Sequence, residues 1–527
     1  MHLKDRASKW ALLAGASVIA ALATASYAQA ACTPANGIVT CTGDNSPFTV
    51  TSITQTVIAQ GATVSGTGLS AVTLNSALAN LVVNGTASAT GAAALTVQNG
   101  SPIFTYDPYG GAGLPNGTYS YPYLYPNGRA TIMVGQQGVI SGDTGIWIER
   151  SGSNYLGGSS AFIDNSGLIT ATSGSAIRGP SGISGVSYAS ITNQASGAIH
   201  GIAAPVGTIS NAGLIDGRGN AAIDLAPRYD GFFASYGTST IANSGTITSA
   251  AAATIVSQQN PLSLTNSGRI GNSIGGEAIH AGSSISLTNT GTIEGNVVAI
   301  GASTIDSSAG TIAGDVLLGS GDDIIVAALD ANNQLKTGIT GQIDGGAGTN
   351  SIALTVAADA TLTGTPLLPT NFSLLRANLA NQAKLTLDTG FDGTARLYVS
   401  GAGTLLNQGA IATQGRAVTA YGFGYPSPLG MQNDGSIKAT LTSATDAAVS
   451  LDGVALANKG SIEATGGAGV LLKSGYGTAL ANSGTISATG GAAVLFGGGY
   501  GSSAALENKA GGVIVLDEAA EAGCPCE

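Results

Sequence analysis

Two glycine-rich stretches hold the residues of this chain that are most typical of a metal site. Asp322 and Asp323 are adjacent carboxylates that follow Gly-Ser-Gly, and Asn350 follows Gly-Gly-Ala-Gly-Thr 27 residues after Asp323. Calcium is bound by carboxylate and carbonyl oxygens from consecutive glycine-rich turns. The pattern therefore predicts either a calcium site at Asp322, Asp323 and Asn350 or two equivalent turns of a repeat without metal.

Aromatic residues crowd into three segments and suggest a second kind of chemistry. Exposed tyrosine offers a flat apolar face and a hydroxyl, which suit a sugar or a protein surface. We predict ligand binding by these segments, although the rings could instead pack over the wall of the fold. The candidates are Tyr106, Tyr109, Tyr119, Tyr121, Tyr123 and Tyr125; then Tyr229, Phe232, Phe233 and Tyr236; then Tyr421, Phe423 and Tyr425.

Catalysis has little support in the sequence. Beyond residue 30 the only histidines are His200 and His280, neither of which has metal-ligand spacing. The Gly-Asp-Asn-Ser stretch 43–46 lacks a partner histidine pattern. We predict no catalytic residues and no enzyme activity.

An internal repeat predicts the elements that position these residues. The unit apolar-x-Asn-x-Gly-x-Ile recurs, with Asn-to-Asn spacings of 23 and 23 in one block and 26, 25 and 24 in another. This length fits one coil of a parallel β-helix better than a propeller blade or a helical repeat. The nine copies are 163–169, 209–215, 241–247, 264–270, 287–293, 405–411, 431–437, 456–462 and 480–486.

The chemistry of the unit agrees with a stacked coil. Its apolar residue and Ile lie in Thr-, Val- and Ile-rich stretches that favour strands. Asn and Gly tolerate positive φ, so we expect a sharp bend there. Equivalent Asn side chains about 4.8 Å apart in a stack can form a hydrogen-bonded ladder. A flexible Gly/Ser linker and a β-sandwich are the alternatives.

Composition is consistent with an exported protein that has a thin core of small residues. Charged residues make up 9 % of the chain and apolar residues 43 %, with 80 glycines and a mean hydropathy of +0.28. The net charge of −11 argues against nucleic acid as a partner. The basic and then apolar residues 1–30 predict a secretion signal cleaved after Ala30. No later segment is apolar for long enough to predict a transmembrane helix.

The four cysteines form two close pairs. In an exported chain Cys32 and Cys41 are expected to close a disulfide loop, with acylation of Cys32 as the alternative. Cys524 and Cys526 are too close for an easy internal disulfide and could act between molecules.

We divide the chain by these patterns into six segments. These are the signal peptide 1–30, an N-terminal cap with first coils and a tyrosine-rich insertion 31–130, a first repeat block 131–315, Asp-bearing middle coils 316–400, a second repeat block 401–516, and an acidic cysteine-containing tail 517–527.

The signal peptide, the start Ala-Cys-Thr-Pro at 31–34 and the Asn-Ser-Gly-Thr-Ile repeats together resemble passenger domains of bacterial autotransporters. The resemblance implies an all-β fold, a right-handed single-stranded parallel β-helix exported through the periplasm to the surface of a Gram-negative bacterium. It implies an adhesin, whose partner is a cell-surface glycan or protein. Only 13 residues follow Ile514, too few for a translocator barrel, so we expect a passenger alone, a truncated product, or a protein exported by a separately encoded barrel.

The predicted function is therefore non-enzymatic adhesion or surface interaction. The alternatives are a polysaccharide-degrading β-helix enzyme and a self-associating surface matrix or filament component. Apart from calcium, no cofactor is predicted.

Overall fold

A computed structural model describes most of the chain beyond the predicted signal peptide. The described residues are 31–51, 55–76, 79–98, 130–149, 161–179, 189–227, 229–230, 235–366, 368–422, 429–473, 477–497 and 504–517. They form strands and turns and no helix, so they contain no helical segment that could span a membrane. The chain divides into two compact units, Met1–Gly237 and Thr238–Glu527. The signal peptide, Cys524 and Cys526 lie outside the described residues.

The first unit is a stack of seven coils, each with three short strands. Strands at equivalent positions of successive coils pair in parallel and form three stacks. Stack 1 contains Ile38–Thr42, Gln55–Ile58, Asn80–Val83, Ala130–Val134, Ala161–Asn165, Ala189–Asn193 and Val206–Asn211. Stack 2 contains Asp44–Asn45, Thr63–Thr67, Thr86–Thr90, Val139–Gly142, Leu168–Ala171, Ala198–Ile199 and Leu214–Asp216. Stack 3 contains Phe48–Val50, Val72–Leu74, Ala93–Val97, Thr144–Ile148, Ile177–Arg178, Ile202–Ala204 and Ile223–Leu225.

Two further pairs of the first unit are antiparallel. Ala31–Ala35 folds back on Ile38–Thr42, and the disulfide between Cys32 and Cys41 joins directly opposed residues of this pair. The first coil is thus covered by a cross-linked hairpin. The second pair, Tyr229–Asp230 with Ser235–Tyr236, follows the last strand of stack 3.

The second unit begins with coils of the same kind. Stack 4 contains Ser239–Asn243, Leu262–Asn266, Ile285–Asn289, Thr304–Asp306, Ile324–Leu329 and Asn350–Val356, and it continues below. Stack 5 contains Thr246–Ser249, Arg269–Asn272, Thr292–Glu294 and Thr311–Ala313. Stack 6 contains Ala253–Ser257, Glu277–Ala281, Asn296–Ala299, Val316–Leu317 and Ile343–Asp344. Leu335–Lys336 pairs antiparallel with the end of Ile324–Leu329.

Two long strands, Phe372–Leu387 and Arg396–Asn407, mark a change in coil shape. Their first halves continue stack 4, and their second halves belong to a new stack 7. Stack 4 ends with Val418–Tyr421, Ala447–Asp452, Ala468–Leu472 and Val494–Phe496. Stack 7 starts with Ala360–Leu362 and adds Gly430–Asn433, Ala455–Asn458, Ala479–Asn482 and Ala505–Asn508. Stack 8 contains Asp392–Gly393, Ala410–Gln414, Ser436–Thr440, Ser461–Thr465, Thr485–Thr489 and Val513–Asp517.

The predicted all-β parallel β-helix is confirmed, and the repeat isoleucines form its core. Ile169, Ile247, Ile270, Ile437 and Ile462 are all fully buried. Each lies over its equivalent in the next coil, as Ile247 does over Ile270. Alternate residues of each strand point inward, so a thin column of aliphatic side chains runs through each unit.

The predicted asparagine ladder is also confirmed. Asn266 Nδ2 donates to Asn289 Oδ1 at 2.7 Å, and Asn266 Oδ1 accepts from Asn243 Nδ2 at 2.7 Å. Every step runs in the same sense, from the side-chain amide of one coil to the side-chain oxygen of the next. The other runs are Asn165 to Asn193 to Asn211, and Asn407 to Asn433, Asn458, Asn482 and Asn508.

The glycine of the unit has a different role from the predicted one. None of the described repeat Asn or Gly residues has positive φ, so that expectation was wrong. A Cβ on Gly268 would lie 2.1 Å from the carbonyl oxygen of Gly245 on the preceding coil, and one on Gly460 would lie 2.0 Å from that of Gly435. Glycine is needed because the coils pass too closely at this point for any side chain.

We expect Asn266→Ala to lower the free energy of unfolding of the second unit by about 2 to 4 kcal/mol, because it leaves Asn243 Nδ2 and Asn289 Oδ1 buried without this partner. Urea unfolding of the purified chain measures the loss. The neighbouring Thr265→Ala, at an exposed outward position, is the control and should change stability by less than about 0.5 kcal/mol. Equal losses for the two variants would contradict a structural role for the ladder.

Candidate functional site

The long connections of the first unit all lie at one corner of its coil. They run from a strand of stack 3 to the next strand of stack 1: from Val97 to Ala130, from Ile148 to Ala161 and from Arg178 to Ala189. Because equivalent strands are stacked in register, these starting and ending points lie above one another. We call this edge the insertion corner of the first unit.

The second unit has an insertion corner of its own, between stacks 4 and 7. Three connections there are extended: from Tyr421 to Gly430, from Leu472 to Ala479 and from Phe496 to Ala505. Each leads into a strand that ends in the repeat asparagine, as two connections of the first unit do, those that enter Ala161–Asn165 and Ala189–Asn193. The turn after that asparagine stays short: the glycine follows it by two residues in the nine copies of the unit and by four after Asn193 and Asn508.

The predicted aromatic residues belong to these connections. Tyr229 and Tyr236 are directly opposed in the antiparallel hairpin that leaves the coil after stack 3. Tyr421 is the last residue of its stack 4 strand and is 38 % exposed. The remaining candidates lie outside the described residues: Tyr106, Tyr109, Tyr119, Tyr121, Tyr123, Tyr125, Phe232, Phe233, Phe423 and Tyr425.

Sequence reasoning missed four tyrosines that share this placement. Tyr155, Tyr188, Tyr476 and Tyr500 each lie in one of the long connections, within short Gly- and Ser-rich segments. With them, 11 of the 16 tyrosines fall in the six connections described above. Tyr229 and Tyr236 lie in the hairpin, and the others are Tyr27, Tyr398 and Tyr421. Counting tyrosines against the repeat boundaries, instead of looking for clusters, would have found them.

The predicted calcium residues are arranged as links between coils. Ser320 bridges Ala347 in parallel and Ile324 pairs with Ser351, so the two glycine-rich stretches are equivalent turns on adjacent coils. Asp322 Oδ1 accepts the Thr349 N–H of the next coil at 2.8 Å.

Asp323 and Asn350 point inward and also form hydrogen bonds between neighbouring coils. Asp323 Oδ1 accepts the Ser303 N–H at 2.6 Å, and Asn350 Oδ1 accepts the Asp323 N–H at 2.9 Å. Asn350 Nδ2 donates to the carbonyl oxygens of Gly345 and Asn371. Within the described ranges no group of three or more His, Cys, Asp or Glu is placed to hold a metal ion. The calcium site stays a prediction.

The two histidines lie in different units and have separate surroundings. His200 Nδ1 lies 2.7 Å from Thr170 Oγ1, and its pKa is lowered by burial and by the nearby Arg218 guanidinium, against the opposing effect of Asp216. His280 Nδ1 lies 2.8 Å from Glu277 Oε2 on the same strand.

A pH dependence of stability follows from Asp323, which is fully buried with no hydrogen-bond partner at Oδ2 among the described residues. Burial raises the pKa of its carboxyl and the Asp322 charge adds to this, against the opposing Ser303 N–H. The stability contribution of protonated Asp323 is complete below the unfolded-state pKa, near 3.9, and is lost as pH rises through the higher folded-state pKa.

Asp323→Asn should remove this fall in stability. The stability of the variant relative to that of the native chain should therefore increase as pH rises from about 4 to 7. Thermal unfolding across this range measures the difference. Asp322→Asn removes the neighbouring charge, a smaller cause of the raised pKa, and keeps the buried Asp323 carboxyl, so most of the fall in stability should remain. Parallel stability–pH curves for the native chain and Asp323→Asn would contradict the raised pKa.

No protein-family model matches the chain. No curated protein and no solved structure matches it either. The resemblance to autotransporter passengers thus depends on the sequence features alone.

Proposed function

We propose that this chain is a secreted or cell-surface β-helix that acts in adhesion, without enzyme activity, and that the tyrosine-bearing connections at its insertion corners contact a cell-surface glycan or protein. The concentration of tyrosines in these connections is the main support for the proposal. Stacked coils provide a rigid support, and connections at one corner are carried on the same side of a unit.

The composition of the connections also favours recognition. Residues 99–129 contain one acidic and one basic residue, and 423–428, 474–476 and 498–503 contain none. They are instead rich in Tyr, Gly, Ser and Pro. Tyr and Ser with Gly are the residues that binding loops of antibodies use, because tyrosine gives a large contact area at a low entropic cost. The hydroxyl and flat face of tyrosine serve sugars and proteins equally.

Export and display are part of the same proposal. The signal peptide at 1–30 and the likeness to autotransporter passengers support delivery through the periplasm to the outside of a Gram-negative cell. The cross-linked hairpin at Cys32 and Cys41 suits an oxidising compartment.

Replacing tyrosines by serine within the connections tests the proposal while keeping loop lengths. One variant carries the change at Tyr106, Tyr109, Tyr119, Tyr121, Tyr123 and Tyr125, and a second at Tyr425, Tyr476 and Tyr500. We expect at least one variant to bind target cells about tenfold more weakly or worse, because buried tyrosines dominate such contacts. Binding of labelled full-length chain to cells and to a glycan array is measured.

The control is Thr240→Ala with Thr265→Ala, two exposed outward positions of stack 4. It should bind as the native chain does, and thermal unfolding should confirm that every variant is folded. Unchanged binding in both tyrosine variants would overturn the proposed contact role, and release of product from a polysaccharide panel would favour an enzyme instead.

A further inference from the structure

Two arginines and a tyrosine meet on the outer side of stack 4. Arg376 is paired in register with Tyr398 on the next coil, and Arg396 precedes Tyr398 by two residues. Their neighbours Leu375 and Leu397 are buried, so by strand alternation the three side chains share the outward side. All three are partly exposed.

Neither guanidinium is paired with an acceptor in the part of the chain that the structure describes. Among the described residues no hydrogen bond or ion pair includes Arg376 or Arg396, and the Nε atom of each is buried without an acceptor. The Arg376 Cζ atom lies 5.9 Å from the centre of the Tyr398 ring. A ring contact of this kind leaves the N–H groups at the edge of the guanidinium available.

Other arginines in this unit do have acidic partners. Arg416 donates from Nε to Asp446 Oδ1 at 2.8 Å, and Arg269 donates from Nε to Glu294 Oε1 at 2.9 Å. The chain as a whole has a net charge of −11, so carboxylates are plentiful. Two adjacent arginines without an acid are therefore exceptional here.

The missing acceptor identifies the chemistry of a ligand. The Nε atoms are shielded from solvent, so an anion would be held by the other N–H groups of each guanidinium, which also lack an acceptor among the described residues. The planar guanidinium matches the two oxygens of a carboxylate or sulfate. The flat face of Tyr398 beside it suits a sugar ring.

We propose that Arg376, Arg396 and Tyr398 form a binding site for an acidic sugar, with the arginines holding its carboxylate or sulfate oxygens. The site rests on the proposed function only in taking the partner to be a glycan. Tyr421 lies on the next coil, paired with Ser400, at the insertion corner. One acidic polysaccharide can therefore contact both the arginine site and the connections.

Calorimetric titration of the full chain with an oligogalacturonate tests the site. The methyl-esterified oligomer of equal length removes the carboxylate charge, and a sulfated neutral oligosaccharide supplies the other oxyanion. We expect an acidic oligomer to bind at least about tenfold more tightly than the ester, and Arg376→Gln with Arg396→Gln to abolish that preference. Whichever acidic oligomer shows this dependence identifies the oxyanion.

Lys438→Gln with Lys459→Gln is the matched control, since it lowers the net charge by the same two units at exposed positions of another surface. It should leave the affinity unchanged. Replacing both arginines by lysine should restore only part of the affinity that the glutamine variant loses. Lysine keeps the positive charge but cannot donate the two parallel hydrogen bonds of a guanidinium.

Equal affinity for the acid and the ester would overturn the site. So would an equal loss of affinity in the Arg376→Gln with Arg396→Gln variant and in the Lys438→Gln with Lys459→Gln control. If the tyrosine variants lose cell binding while the arginine variant binds oligomers normally, the adhesive function stands and the site fails. If acid binding needs the arginines while the tyrosine variants still adhere, the site stands and the contact role of the connections fails.

Discussion

Every feature of this molecule depends on the short distance between one coil and the next. Parallel strands in register bring equivalent residues to within about 4.8 Å of each other. At that distance an asparagine amide reaches the asparagine below it, and a glycine without Cβ lets the carbonyl of the preceding coil pass. Most buried polar groups therefore find their partner on the neighbouring coil. Among the described residues, Asp323 Oδ2 and the Nε atoms of Arg376 and Arg396 are exceptions. The repeated Asn-x-Gly reflects this constraint in the sequence, because the asparagine forms the ladder and the glycine permits the close approach.

Most of the scaffold could be predicted from the sequence because the constraint is local and periodic. The copies around Asn243, Asn266 and Asn289 predict the coil, the strands that contain the repeat isoleucines and the amide ladder, and all three are present. The reason for the glycine was predicted wrongly, since a close approach between coils cannot be read from one copy of the unit. The Asp-bearing coils were ambiguous for a similar reason. Asp322 and Asp323 have the residue types of a calcium turn, but only the register shows that their oxygens accept N–H groups of neighbouring coils.

The candidate site was predicted less completely, because its parts do not repeat. Tyrosine clusters such as 119–125 stand out in the sequence, whereas isolated tyrosines such as Tyr155 and Tyr500 become significant only once the strand boundaries are known. Arg376 and Arg396 are 20 residues apart and share no motif. Their proximity results from the length of one coil, and their lack of an acid can be recognised only when the outward side of the strand is known. The repeat thus determines where the proposed contact residues lie, but its own sequence pattern does not include them.

The amide ladder has a direction, and this has a consequence for how such a protein can change in evolution. Each step joins a donor of one coil to an acceptor of the next, so within a run of the ladder every coil presents the same acceptor on one side and the same donor on the other. Any coil of a run is therefore a chemically compatible neighbour for any other coil of that run. In-frame duplication or loss of a whole coil leaves the hydrogen-bonding intact, whereas a partial duplication leaves an unmatched amide inside the core. Such a gene can lengthen or shorten its product in steps of one coil and can vary each connection independently.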